Sequence, residues 1–290
     1  MRRLTARPIK YTMHLIVYTQ KKPLHHRIVR RLSEAFTSIP IEIEQFLPRI
    51  DTITKGRTVS FVGLLYGMHY VYNYCMENKV DFLYVDHAYF FRGYDPLGNS
   101  WLRITKNNLV QNTIKTYRDL SREQEHFSGI NLKPWRGLKG KYILVSPPSQ
   151  GMTLIYPNCT EWFEENLERL KKSIDLPVRV RIKSPKVFVD QNGIPIEHKS
   201  VPNRPLMEDL KDAALVLTFN SNISVDASIE GIPVVVHEQN ACWPISQQDL
   251  TQIKEPDRTN WLYSLFHSQF LEKEIGQGQL ADLVNLPKRV

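Results

Sequence analysis

Apolar residues along the chain fall in short β-branched runs, separated by stretches in which they recur every third or fourth position. That alternation predicts an α/β protein built on parallel sheets. In the first half, Met13–Tyr18 reads as a strand and Leu24–Phe36 as a helix with Ile28, Val29, Leu32 and Phe36 on one face. Ile41–Phe46 reads as a second strand and Phe61–Met76 as a long apolar helix. Phe82–Val85 is a buried strand ending at Asp86-His87, Trp101–Thr105 is another strand, and helix is expected toward Gln124. Phe127–Lys141, rich in Gly, Pro and Lys, reads as a linker. Beyond it the alternation restarts: strand Tyr142–Ser146, helix Thr160–Ile174 capped by Thr160, strand Val178–Ile182, helix Leu206–Ala213 and strand Leu215–Phe219. Helix Ile223–Glu230, ended by Gly231, strand Val234–Val236 and a long closing helix Arg258–Glu274 complete the pattern.

Each half thus reads as its own parallel sheet: two Rossmann-like domains, over 1–130 and 142–256, joined by a linker at 131–141 and followed by a helix within 257–290. Two such halves create a cleft between facing strand ends, and ligands of open parallel sheets bind outside the carboxyl ends of the strands. Length and composition fit: 290 residues, 42% hydrophobic and 23% charged, allow two domains and exclude disordered or fibrous chains. No apolar run is long enough to span a bilayer, so no membrane association is expected. The basic N-terminus has too short an apolar stretch, His14 to Tyr18, for a signal peptide. Three scattered cysteines point to a reducing cytoplasm. Charge changes the picture more. The net charge is +8, and the first 33 residues carry nine Lys or Arg with no acid. Such an arm suits a polyanion, a solvated surface or a cleft for an anionic nucleotide.

The most informative segment is Asp212 to Val236. A buried strand ends in Thr218-Phe219-Asn220-Ser221-Asn222 and a helix begins at once. Unpaired N–H groups there, beside hydroxyl and amide side chains, suit a phosphate or pyrophosphate; capping by Asn220 or Ser221 is the plainer reading. Asp226 and Glu230, a turn apart, offer carboxylates to ribose hydroxyls. The strand running into Ser146-Pro147-Pro148-Ser149-Gln150-Gly151 ends in small polar residues that let backbone amides approach a diphosphate. Arg179, Arg181 and Lys183 alternate along one strand and share a face, which must therefore meet solvent or an anion. Arg181 and Lys183, at the strand end, are phosphate-binding candidates.

Strand, Asn220-Ser221, helix and Ala227-Ser228-Ile229-Glu230-Gly231-Ile232-Pro233-Val234-Val235 resemble the donor-binding half of GT-B glycosyltransferases and sugar-nucleotide epimerases. Glu255–Gly278 and Trp101–Asn107 are similar to segments of viral, phage-type glycosyltransferase-like proteins. The resemblance implies a glycosyltransferase that takes a sugar from a nucleotide-sugar, needs no metal ion or other cofactor, and has a C-terminal helix crossing back onto the first domain. It implies donor contacts from Ser146, Ser149, Gln150, Gly151, Arg181, Lys183, Asn220, Ser221, Asn222 and Asp226. Transfer to a hydroxyl calls for a proton acceptor, for which Asp86, then His87, at a strand end are the candidates. Tyr89, Arg92, Trp101 and Arg103 interleave rings with cations, a composition that suits an acceptor and in particular nucleic acid. With the basic arm and the viral resemblance, it points to double-stranded DNA carrying a hydroxymethylated pyrimidine. A capsular or surface saccharide acceptor, a non-catalytic nucleotide- or DNA-binding module, and an epimerase are the rivals. Absent motifs narrow the field: there is no Gly-x-Gly-x-x-Gly, no Gly-x-x-x-x-Gly-Lys-Ser/Thr and no Gly-x-Ser-x-Gly. Asp-x-Asp, the mark of metal-dependent GT-A enzymes, is missing too.

Overall fold

The structure, a computed structural model, describes residues 11–19, 22–42, 58–65, 67–93, 99–182, 188–189, 195–196, 204–250, 252–276 and 280. The chain divides into two compact units, one of residues 1–111 with 267–290 and the other of residues 112–266.

In the first unit the chain runs β1 (Tyr11–Thr19), α1 (Pro23–Ala35), β2 (Phe36–Glu42), β3 (Thr58–Val62), α2 (Met68–Asn78), β4 (Phe82–His87) and β5 (Trp101–Lys106). With β12 (Gln269–Leu271) these strands form a sheet of order β12-β5-β4-β3-β1-β2. β1 to β4 are mutually parallel, and β5 runs antiparallel to both its neighbours. Period-two alternation divides the side chains between two faces. Leu15, Val17, Val62, Leu83 and Val85 pack with Ile28 and Leu32 of α1. On the opposite face Phe61 and Phe82 lie 5.5 Å apart, and Tyr72 of α2 meets Phe82 edge-on at 5.8 Å. Helices therefore cover both faces, and strand order reverses between β1 and β3.

Three expectations change here. The long helix expected over Phe61–Met76 is a strand, a turn and a shorter helix. Gly63 and Gly67 both adopt positive φ, 66° and 91°, a conformation that breaks any helix across them. The second strand starts at Phe36, directly after α1, rather than at Ile41; residues 43–46 of the expected strand lie outside the described residues. No regular helix forms over 107–120; a short π-helical turn, Glu123–Phe127, follows instead.

The second unit holds β6 (Tyr142–Ser146), α3 (Gln150–Thr153), α4 (Cys159–Ser173), β7 (Val178–Val180), the hairpin strands β8 (Phe188–Val189) and β9 (Pro195–Ile196), α5 (Leu206–Lys211), β10 (Ala213–Thr218), α6 (Ile223–Ile229), β11 (Val234–Val236) and α7 (Thr259–Phe266). Its parallel sheet has the order β11-β10-β6-β7. Ile143, Val145, Leu215, Leu217 and Val235 pack with Phe163 and Leu170 of α4. The strand order reverses between β6 and β10, which makes their carboxyl ends a topological switch point.

The segment expected to be a linker is docked along this unit. The Lys133 and Arg136 amides donate to Ile229 O and Gly231 O at 2.9 and 2.7 Å. The Arg136 guanidinium donates to the Leu210 and Lys211 carbonyls, and Trp135 Nε1 to Pro256 O at 2.9 Å. Gly231 has φ +78°, and a Cβ there would run into the Pro134 carbonyl. The closing helix is interrupted as well. α7 stays in the second unit, where Phe266 stacks on Phe127 at 4.3 Å. The chain then returns to the first unit as β12 and α8 (Glu272–Gly276). Gln269 cannot stay helical there, because it pairs with Arg103 across the sheet while its Oε1 accepts the Tyr89 and Phe90 amides at 2.9 and 3.2 Å.

Candidate functional site

The carboxyl ends of β6 and β10 are joined side by side. Thr218 Oγ1 donates to Ser146 O at 2.8 Å, and the Arg181 amide donates to Val145 O at 2.8 Å. Ser146, Asn220, Ser221, Asn222 and Asp226 are half-buried and Ser149 is exposed, so hydroxyl and amide groups line this end of the sheet. Gly151 is buried in α3; Gln150 opens that turn, and its side chain lies outside the described residues, as does Lys183.

The amides expected to await a phosphate at the start of α6 are largely taken up within the chain. Ile223 N donates to Ser221 Oγ at 3.4 Å, Ser224 N to Ser221 O at 3.2 Å and Val225 N to Asn222 O at 3.0 Å. Glu230, a ribose candidate, receives Lys133 Nζ at 2.5 Å. What the start of α6 offers a ligand is therefore mainly side chains.

The basic face of β7 meets an anion inside the protein. Val178 and Val180 pack toward the core under α4, while Arg179 and Arg181 point to the other face, where α5 presents Asp209. Arg181 Nη1 lies 2.5 Å from Asp209 Oδ2, and Arg179 and Arg204 each stand 3.5 Å from Oδ1. Arg179 also covers the Tyr142 ring at 3.9 Å. The expectation that this face meets solvent or an anion is answered by a carboxylate of the same chain, and Arg181 is tied to it.

In the first unit, Asp86 and Arg103 face each other across β4 and β5. Asp86 Oδ2 accepts from Arg103 Nη2 at 2.7 Å and from the Tyr84 hydroxyl at 2.9 Å, and Oδ1 accepts the His87 amide at 2.8 Å. Burial pushes the Asp86 carboxyl up, but Arg103, the His87 amide and the Tyr84 hydroxyl outweigh it and hold the group below the usual carboxylate range. A carboxylate held ionised by a buried guanidinium is a poor proton acceptor, so the geometry departs from the catalytic role expected of Asp86. His87, next along the strand, is exposed. Tyr89 is fully buried and its hydroxyl accepts the Gln111 amide at 2.7 Å; Arg103 is 6% exposed, with its guanidinium 5.4 Å from the Tyr89 ring. These two belong to the interior. Arg92 is at the surface, donating to Tyr89 O at 2.9 Å, and half-buried Trp101 faces Phe91 at 6.0 Å.

Two residues with little sequence signal stand at the second site. Asn240, 1% exposed, ties the loops after β10 and β11 together. Its Oδ1 accepts from Ser224 Oγ at 2.9 Å and the Cys242 amide at 2.8 Å, while Nδ2 donates to Phe219 O at 3.3 Å. His237, at the end of β11, stacks on Phe219 with centroids 4.2 Å apart and planes 15° apart. Trp162 meets it edge-on at 5.4 Å and Tyr156 lies 6.2 Å away. Its Nδ1 accepts the Gln239 amide at 3.2 Å, which leaves the ring proton on Nε2. Burial lowers the pKa of this imidazole, opposed by the nearby Glu238 carboxylate. Only the sequence position of His237, after a strand, hinted at a site; its aromatic surroundings come from three separate segments.

Among the described residues no group of three or more His, Cys, Asp or Glu side chains is arranged to hold a metal ion, and no helix is long and apolar enough to cross a membrane. The three cysteines are free and buried, with the Cys75 and Cys242 thiols pushed up to about 12 by burial.

No protein-family model and no curated protein matches this chain. Solved structures do. The beta Kdo 2,7 transferase of Thermosulfurimonas dismutans KpsC superposes with a TM-score of 0.53 at 12% identity, covering 92% of this chain and 99% of that one. The beta Kdo 2,4 transferase of the same KpsC gives 0.48 at 9% identity over 88% and 92%. A UDP-GlcNAc 2-epimerase of Methanocaldococcus jannaschii gives 0.29 at 13% identity over 94% and 99%. At such identity the first likeness speaks for the fold, and the lower scores add nothing to it. The fold is the Rossmann-like, two-unit α/β fold of GT-B glycosyltransferases.

Proposed function

We propose that this protein is a glycosyltransferase that moves a sugar from a nucleotide-sugar to an acceptor hydroxyl. The observation that carries the reading is the switch point of the second unit, where Ser146, Ser149, Asn220 and Ser221 gather hydroxyl and amide groups at the carboxyl ends of β6 and β10. Open parallel sheets hold their ligands at that place, and a rim of hydroxyl and amide groups suits the phosphates and sugar of a nucleotide. Preorganised donors at this rim stabilise the charge that builds on the departing phosphate. In the first unit His87 is the proton acceptor, while Asp86 fixes Arg103.

A saccharide acceptor is favoured over DNA. Tyr89 and Arg103, half of the ring-and-cation group that suggested nucleic acid, are interior. A hydroxymethylated pyrimidine in double-stranded DNA is the second reading, supported by nine Lys or Arg and no acid in the first 33 residues.

Calorimetry with cytidine, uridine, guanosine and adenosine phosphates and their sugar derivatives tests the donor site. Binding of at least one is expected, weakened about tenfold by Asn220→Ala, the loss of one or two polar contacts; no binding to any of them refutes the reading. Incubation of the bound donor with oligosaccharides, plain DNA and hydroxymethylated DNA, followed by mass spectrometry, decides the acceptor. A sugar added only to the modified DNA would reverse the preference given above.

A further inference from the structure

We infer that His237 reads the nucleobase, and that it selects bases carrying an exocyclic carbonyl oxygen, such as uracil, cytosine and guanine, over adenine. The inference rests on the donor-site reading and names the part of the ligand that the end of β11 receives. Three features of the imidazole lead to it. Its plane is fixed by the Phe219 stack at 4.2 Å and by the edge of Trp162 at 5.4 Å. Its tautomer is fixed by the Gln239 amide on Nδ1, so Nε2 carries a hydrogen. That Nε2–H has no acceptor among the described residues and is not sealed from solvent. A donor whose direction and proton are both set, with nothing to donate to, is a prepared contact for an acceptor atom.

The surroundings choose the acceptor. Phe219, Trp162 and half-buried Tyr156 make the neighbourhood aromatic, which favours a flat ring over a hydrated phosphate. Glu238, exposed beside His237, repels an anion. The contact is also local to the site: the His237 amide donates to Phe219 O at 3.3 Å, one residue before Asn220. A neutral N–H donor in such a place matches a base carbonyl. Adenine accepts only through ring nitrogens, each with a single lone pair in the ring plane, whereas a carbonyl oxygen projects beyond the ring and accepts along two directions; a donor of fixed direction therefore meets the carbonyl more readily.

The test is calorimetry of the full chain with UMP, CMP, GMP and AMP, for the wild type, His237→Phe and His237→Gln. Phe keeps the stack and removes the donor; Gln places an amide N–H where Nε2 stands. The wild type is expected to bind at least one carbonyl-bearing nucleotide about tenfold more tightly than AMP. His237→Phe should erase that preference, and His237→Gln should retain most of it. A wild type without preference, or a preference that survives in His237→Phe, overturns the inference while leaving the donor site standing. Failure of the wild type to bind any nucleotide removes both. If His237→Phe does not fold, nitrogen-15 spectra of the wild-type imidazole decide: the Nε2 resonance must shift with the preferred nucleotide, and an unmoved resonance refutes the contact.

Discussion

The two units build the same kind of strand end and finish it differently. Each is a sheet whose strand order reverses once, between β1 and β3 in one and between β6 and β10 in the other. In the first unit the polar groups near the end of β4 bond to one another: Asp86 to Arg103 and Tyr84, Tyr89 to Gln111, Gln269 to two amides. In the second, Ser146, Asn220 and His237 stand at the rim while the bonds that fix them lie a layer below, through Thr218 and Asn240. Charged residues thus act as internal fasteners beside β4 in the first unit, as Arg181 and Asp209 do beside β7 in the second, whereas the neutral polar residues that follow β6, β10 and β11 are left half-buried at the rim. A motif rich in Asp, Arg and Tyr attracts attention in a sequence, yet its members are each other's best partners.

The largest effect that can break this contrast is at Arg103. Arg103→Met leaves Asp86 without its counter-ion, and a loss of about 3 kcal/mol is expected, read by urea denaturation. Adding Asp86→Ala to it should recover much of that loss; if Asp86→Ala alone left stability intact while abolishing sugar transfer, the fastener account would be wrong. The next effect is acid sensitivity of the first unit. His25 of α1 is 8% exposed, and burial, with Lys22 and His26 nearby, lowers its pKa from 6.5 to about 4. The unfolded chain therefore binds the proton more readily, so the contribution of His25 is complete above pH 6.5 and is lost as the pH falls toward 4. The loss approaches about 3 kcal/mol, and His25→Gln should flatten the slope of stability over that window. Smaller, and confined to the second unit, is Asn240→Ala, which removes the shared partner of Ser224, Cys242 and Phe219. About 2 kcal/mol is expected, together with faster hydrogen exchange at Ser224 and Val225 and unchanged exchange in β1 and β3.

How much of this was legible in the sequence follows from the range of the forces involved. Strands Tyr142–Ser146 and Val234–Val236 announce themselves, because a buried parallel strand needs β-branched residues on both faces and nothing else competes. The Phe61–Met76 stretch misleads, because a strand and a helix that are both apolar look alike when a two-glycine turn is read as part of the run. Gln269 and the docked segment 127–141 were illegible for another reason. Their conformations are set by amides and carbonyls between 74 and 180 residues away, which leave no periodicity. At the site, Ser146 and Asn220 were recognisable as candidates because they follow strands. The partner of Arg181 was not, because Asp209 lies on a separate helix whose packing onto β7 no local pattern encodes.

The return of the chain at residue 267 sets an order of events during synthesis. Residues 112–266 have all left the ribosome before β12 can pair with β5, and before Glu272 can meet Arg27 at 2.8 and 2.9 Å. The later-encoded unit thus has all of its residues made before the first has its last strand, and until then the nascent amino-terminal sheet keeps an open margin.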